Sequence, residues 1–247
     1  MPKSNKHSFT YLRVLLATLV TLIAIPLLSL PSMAGRVTFR PPSDPAPKSS
    51  SGGASRDGSL GVAACSSARS GIGQSVTPVL PTTNIGFTLT EHPTVFVYVP
   101  ASNARKAFFS IQDEDNNHVY QADINLPKQP GVMQVKLPTS APGLKTNKNY
   151  KWSLVMICTA DLEPDSPFVS GWIRRVEYKT NIRNNQNKNI TLDSVSELAE
   201  TGIWYDTLAT LAQLRLSQPN NQVLATSWAN LLSSVGLNAI ANEPLVQ

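Results

Sequence analysis

The chain predicts an α+β protein, a mainly antiparallel β-sandwich followed by a helical hairpin, on three observations. Between residues 84 and 179, short apolar stretches alternate with polar residues at a period of two. Turn residues punctuate them at sandwich-like intervals, and after residue 190 the apolar spacing becomes helical.

The strands follow in order. Val95, Val97 and Val99 alternate with Phe96 and Tyr98, so this strand is apolar on both faces and is expected to be central. Ala107, Phe109 and Ile111 form the next set and Tyr120, Ala122 and Ile124 another; the polar turn from Asp113 to Asn117 makes residues 107–124 a hairpin. Met133, Val135 and Leu137 repeat the pattern, with Gln134 and Lys136 facing out. Tyr150, Trp152, Leu154, Met156 and Cys158 share one face of the longest strand. Val169, Gly171 and Ile173 close the series, and the phase change at Val176 predicts a bulge near Arg174 and Arg175.

One local pattern goes beyond alternation. Leu144 precedes Tyr150 by six residues, and Tyr150 opens its strand after a turn rich in Pro, Gly and Asn. This resembles the tyrosine corner of immunoglobulin-like sandwiches, whose phenol bonds back to upstream backbone. Cys158 stands eight residues after the tyrosine rather than two, so the usual inter-sheet disulfide of that fold is not implied.

In the helical region Ser194 and Glu197 read as a capping box. Leu208, Leu211, Ala212 and Leu214 form an apolar stripe with Trp204. Gly202 and Gly236 stand 34 residues apart, as do Leu198 and Leu232, and Pro219 follows Gly202 by 17. That period resembles the tetratricopeptide repeat, although the first copy lacks the Trp-x2-Leu-Gly start. About one and a half repeats cannot stand alone, so the helices are expected to pack on the sandwich or on a partner.

At the N-terminus, Lys3, Lys6 and Arg13 precede an uncharged run from Val14 to Leu30, and Ser32 and Ala34 supply the small residues of a cleavage site. Residues 1–34 therefore read as a signal peptide cut after Ala34, with the mature chain in the periplasm or outside the cell and no membrane span left after cleavage. Residues 35–59 turn to Pro, Ser, Gly and Arg and read as a disordered leader. The sandwich is placed at 60–185 and the helical unit at 186–247. Loss of Lys3, Lys6 and Arg13 lowers the net charge from +5 to +2, and residues 59–247 hold 14 basic and 14 acidic side chains. A formally neutral body with no basic cluster argues against nucleic-acid binding.

Cys65 and Cys158 both lie in the exported part, where an oxidising compartment favours a bridge between them. Asp113, Asp115 and Asn117 occupy the first, third and fifth positions of a calcium-loop pattern. His118 stands where glycine is required and Ile124 where a bidentate Glu belongs, so a solvated hairpin tip is the expectation and no metal or other cofactor is assigned. Asp161, Glu163 and Asp165 form a second acidic cluster, read as a polar loop. His92 and His118 lack the sequence setting of a Ser-His-Asp hydrolase, and no Gly-x-Ser-x-Gly or phosphate loop appears, so no catalytic residue is named and no enzyme is expected. Phe96, Tyr98, Phe108, Trp172 and Arg174 are candidates for a common sheet face. Phe96, Tyr98, Trp172, Arg174, Trp204 and Trp228 are the candidate partner-binding residues, although packing beneath the helices is the stronger reading of the sheet residues.

Several phrases together resemble a cyanobacterial exported family catalogued as a domain of unknown function, number nine-two-eight. They are Val37-Thr-Phe-Arg-Pro-Pro42, Pro93-Thr-Val-Phe-Val-Tyr-Val-Pro100, Ser110-Ile-Gln-Asp-Glu-Asp115, Gly202-Ile-Trp-Tyr-Asp206, Leu211-Ala-Gln-Leu214 and Trp228-Ala-Asn-Leu-Leu-Ser-Ser-Val-Gly236. The resemblance spans nearly the whole mature chain and implies no activity. The expected function is a non-catalytic binding or scaffolding module of the cell envelope that engages an envelope or secreted protein. The alternative is a carbohydrate-binding or calcium-assisted wall-associated accessory protein.

Overall fold

Alternating sequence becomes paired strand along most of the central region. The computed structural model describes residues 37–42, 47, 65, 75–160, 162–164, 166–177 and 190–247. These hold β1 (Thr77–Pro78), β2 (Ile85–Thr88), β3 (Thr94–Val99), β4 (Lys106–Asp113), β5 (His118–Asn125), β6 (Gly131–Lys136), β7 (Asn149–Ile157), β8 (Phe168–Arg175) and β9 (Leu245–Val246). The helices are α1 (Leu192–Glu200), α2 (Trp204–Ser217) and α3 (Gln222–Ser234), followed by a 3-10 turn at Asn238–Ile240. The signal-peptide reading of residues 1–34 lies outside the described residues. Among those residues no helix is long and apolar enough to cross a membrane.

The strands form two mixed sheets in an α+β arrangement. One runs β1-β3-β6-β9 and the other β2-β8-β7-β4-β5. Most neighbours are antiparallel, but β2 lies parallel to β8 and β9 parallel to β6. As the sequence requires, β3 is internal to its sheet and buried on both faces from Val95 to Val99. The hairpin of β4 and β5 forms in the expected place. The buried residues of β7 include Tyr150, Trp152, Leu154 and Met156.

The register departs from expectation in β8. Its pairing with β2 continues in step through Thr88↔Arg175, and Val176 N–H then donates to Thr88 O at 2.9 Å, so no bulge interrupts Arg174 and Arg175. Val169, Ser170, Gly171, Trp172 and Ile173 are all buried. A strand covered on both faces loses the period of two, and that loss imitated a phase shift. The register does shift between β4 and β5, at Ile111/Gln112, beside the hairpin tip.

Tyr150 acts as its spacing implied. Its hydroxyl accepts a hydrogen bond from Lys145 N–H at 2.9 Å, closing the turn that leads into β7. The neighbouring Leu144 is buried and its carbonyl accepts from Arg175 Nη1 at 2.8 Å.

The helix limits are local events. The capping box sits at Thr191 and Ser194, one turn earlier than Ser194 and Glu197. Thr191 Oγ1 accepts from Ser194 N–H at 3.4 Å, and Ser194 Oγ accepts from Thr191 N–H at 3.2 Å. Serine replaces the expected glutamate as the returning acceptor. At the other end Gly202 has φ +80°, Ile203 N–H bonds Leu198 O at 3.0 Å, and Gly202 N–H bonds Ala199 O at 3.2 Å. The end of α3 repeats this arrangement. Gly236 has φ +83°, Leu237 N–H bonds Leu232 O at 3.0 Å, and Gly236 N–H bonds Ser233 O at 3.1 Å. Both are Schellman stops, in which glycine takes the left-handed conformation that a Cβ opposes. The 34-residue period thus marks two identical helix ends, with Leu198 and Leu232 as equivalent carbonyl acceptors.

The helices cover the sheets and share their core. α2 packs on both β2 and β3, and the main buried cluster runs from Val95 and Phe109 to Leu208 and Leu231. Residues 37–42, expected to belong to the disordered leader, instead enter this core: Val37 is 0% and Phe39 5% exposed. The Pro and Ser content of the segment masked an apolar-x-apolar pair that has a tertiary seat; the rest of 35–59, apart from Pro47, lies outside the described residues. Cys65 and Cys158 are bridged as expected, with their Cα atoms 5.0 Å apart. The backbone at Cys65 is held by Asn103 N–H on its carbonyl at 3.2 Å.

Candidate functional site

The aromatic residues singled out from the sequence are structural. Phe96, Tyr98, Trp172, Trp204 and Trp228 are each at most 4% exposed, so none offers a surface to a partner. Nor do they share one sheet face: Phe96 and Tyr98 lie on β3, in one sheet, while Phe108, Trp172 and Arg174 lie on β4 and β8, in the other. Arg174 is half-buried near the end of β8. Phe96 and Trp172 form part of the apolar floor beneath the helices: Phe96 meets Trp228 of α3 with ring centroids 6.0 Å apart, and Trp172 packs with Leu198 and Ile203. Burial of the Tyr98 phenol, reinforced by Glu243, raises its pKa.

The N-terminus of α2 is where most of this floor is tied together. Trp204 Nε1 donates to Val79 O at 2.9 Å. Trp152 Nε1 donates to Tyr205 Oη at 2.8 Å, and that hydroxyl donates to Trp172 O at 3.0 Å. Desolvation pushes the Tyr205 phenol far above its usual pKa, so it remains a neutral donor. Asp206 Oδ2 accepts from Thr88 Oγ1 at 2.7 Å and from Leu89 N–H at 3.1 Å. Its side chain keeps a narrow edge to solvent while crowded by neighbours, and that desolvation raises its pKa against the pull of these bonds. Gly86 makes the close approach possible. A Cβ there would stand 2.7 Å from Tyr205 Cε2 and 3.0 Å from Trp204 Cδ1. Tyr205, Asp206 and Trp152 carry more of this junction than their sequence setting implies: the phrase Gly202-Ile-Trp-Tyr-Asp206 signals the first two, and alternation along the longest strand signals Trp152.

The polar candidates are occupied by local contacts. Asp113 accepts from Lys148 Nζ at 2.9 Å and from the backbone N–H groups of Asp115 and Asn117, which lowers its pKa. Asn149 Nδ2 bonds Glu114 across the same tip. In the second acidic cluster Asp161 and Asp165 lie outside the described residues, while Glu163 accepts from Thr159 Oγ1 at 3.0 Å. His92 Nε2 lies 3.1 Å from Ala141 O, and His118 contacts Gln112 and Gln121, so neither stands between a hydroxyl and a carboxylate. Among the described residues no group of three or more His, Cys, Asp or Glu is placed to hold a metal ion.

What remains open to solvent with unusual chemistry is the outer side of α2 and α3. From Thr207 to Asn242 the only charged residue is Arg215. Exposed Gln213, Leu216, Gln222, Val223 and Thr226 line this face, with Leu216 41% and Val223 48% exposed. Arg215 lies in the last turn of α2, where a cation suits the helix dipole, with Cζ 5.2 Å from the Trp228 ring centroid. Partial burial lowers its pKa. Arg215 Nη1 and Trp228 Nε1 find no acceptor among the described residues.

The sequence matches the model of a family described as Domain of Unknown Function (DUF928) over residues 51–245. The chain belongs to the DUF928 family. The match takes in α1, α2, α3 and, apart from Val246 of β9, the described strands of both sheets of this DUF928 protein, and begins after the buried segment at residues 37–42. No curated protein matches it.

Proposed function

We propose that this DUF928 protein is an exported binding or scaffolding module of the cell envelope, acting in the periplasm or outside the cell, that engages a protein partner without catalysis. The observation that carries the reading is the α2–α3 face. It is nearly free of charge, shows Leu216 and Val223 to solvent, and holds one guanidinium, Arg215, half-buried over the Trp228 ring. Depletion of charge around apolar side chains, with Arg as the polar anchor, is the composition of interface centres. The Cys65–Cys158 bridge suits an oxidising compartment, and the N-terminal sequence suits export with cleavage after Ala34. We also propose that the sandwich is an immunoglobulin-like variant, supported by the Tyr150 bond to Lys145, and that α2 and α3 form a tetratricopeptide-like pair.

Capture from envelope extracts with the mature chain tests this. A specific partner is expected with the native chain and its loss with Arg215→Glu/Leu216→Asp, a variant that should keep its disulfide and its far-ultraviolet spectrum. Equal capture by both chains removes this face from consideration.

A further inference from the structure

We propose that residues 37–42 are a detachable strap and that the seat they fill accepts the same segment from a second copy of this chain. The seat is formed where the ends of all three helices meet. Phe39 N–H donates to Ser234 Oγ at the end of α3, at 3.2 Å, and Arg40 N–H donates to Ala199 O at the end of α1, at 3.1 Å. One strap N–H thus adds to a helix-end carbonyl, Ala199 O, that already accepts from Gly202 N–H, and the other meets a side-chain hydroxyl, so the seat supplies one backbone and one side-chain acceptor. The Phe39 ring stands edge-on to Trp204 at the start of α2, with centroids 4.7 Å apart. Gly202 lets the strap cross closely: a Cβ there would lie 3.2 Å from both Arg40 O and Pro42 Cδ. The recognition pattern is therefore Val-x-Phe-x-x-Pro in extended form, read by two side-chain slots and two backbone bonds.

Connectivity makes exchange feasible. Twenty-two residues, Ser43–Ala64, separate the strap from the disulfide-bonded Cys65 in the sequence. Fully extended they span up to about 75 Å, so the strap of one copy can reach the seat of another. A ligand joined by a flexible chain of that length has an effective concentration near ~1 mM, and exchange between copies is measured at protein concentrations approaching that level. The inference rests on the binding-module reading only in treating the helical unit as a recognition surface, and it concerns a different part of that unit.

The test begins from folded protein. A protease site is inserted between Ser49 and Ser50 of the mature chain and cut after folding, leaving residues 35–49 held by contacts alone. The fragment is expected to co-elute with the cut chain and to exchange with a fluorescent peptide of residues 35–49. A Phe39→Asp peptide should bind at least about tenfold more weakly, equivalent to 1.4 kcal/mol. A tagged Val37→Asp/Phe39→Asp chain, whose own strap cannot seat, is expected to retain untagged native chain but not itself. Unfolding of the chain on cleavage, failure of the peptide to exchange onto a folded cut chain, or equal competition by a scrambled peptide overturns the proposal. Should the double variant fail to fold, the exchange measurement decides. Partner capture lost with exchange intact defeats only the binding-module reading; exchange absent with capture intact defeats only the strap.

Discussion

Gly202 and Gly236 end their helices with the same two hydrogen bonds and nearly the same φ, yet they sit in different surroundings. Gly202 is buried beneath Arg40 and Pro42 of the strap, whereas Gly236 is exposed and a Cβ there would meet nothing closer than Thr82 Cγ2 at 3.8 Å. Four residues on, the part-buried carboxylate of Asp206 follows Gly202 and the buried, apolar Ile240 follows Gly236. Local chemistry stops a helix without deciding what will cover the stop. At Gly202 the motif has become part of a docking seat; at Gly236 it remains a turn.

The comparison breaks most severely if the cover is removed. Phe39→Ala deletes a buried ring against Trp204 and is expected to cost about 3–5 kcal/mol in urea unfolding, the usual range for such truncations. A loss below about 1 kcal/mol would mean that the strap hardly contributes to the core. Next in size are the glycines themselves. Gly236→Ala should cost about 1–2 kcal/mol from left-handed strain alone, and Gly202→Ala more, because Arg40 O and Pro42 Cδ must also yield. In a Phe39→Ala background that excess should vanish, so the double-mutant cycle measures strap packing directly. Equal costs in both backgrounds would show that the crossing is loose.

The smallest effect concerns pH. Asp206 has its folded pKa raised by burial, so the folded state holds its proton more firmly than the unfolded state. Its contribution to stability is therefore lost as pH rises from the unfolded value of about 3.8 through the folded pKa. Asp206→Asn keeps an acceptor for Thr88 and Leu89 and should gain stability relative to the native chain as pH climbs through that window. Asp113 behaves oppositely. Lys148 and the hairpin-tip N–H groups depress its folded pKa, so its contribution is present above about pH 3.8 and is lost as pH falls through the folded value. Urea midpoints of Asp206→Asn and Asp113→Asn from pH 3 to 8, compared with the native chain, should diverge with opposite slopes; parallel curves would contradict the assigned environments.

Legibility tracked how local each interaction is. The hairpin, β3, β7 and the Tyr150 turn were readable because alternation and turn residues act over a few positions. β2 was missed because Ile85-Gly86-Phe87-Thr88 is short and wholly buried, which leaves no alternation, and β9 because two C-terminal residues pair with a strand more than a hundred positions earlier. For Phe96, Tyr98 and Trp172, burial bears out the packing reading over the partner-binding one. Aromatic content announces that a side chain will be used, whereas only packing shows whether it faces a partner or the neighbouring helix.

Sequence alone determined the strands with alternating faces and the pairing of Cys65 with Cys158, since each depends on residue type at short range or on a two-member choice. Tertiary structure decided that Val37 and Phe39 enter the core, that Trp152, Tyr205 and Trp172 form one hydrogen-bonded chain, and that Arg215 becomes the lone charge of an open helical face. Those outcomes join segments tens to nearly two hundred residues apart. No local preference encodes such a meeting; it exists only once the sheets and helices have excluded water between them.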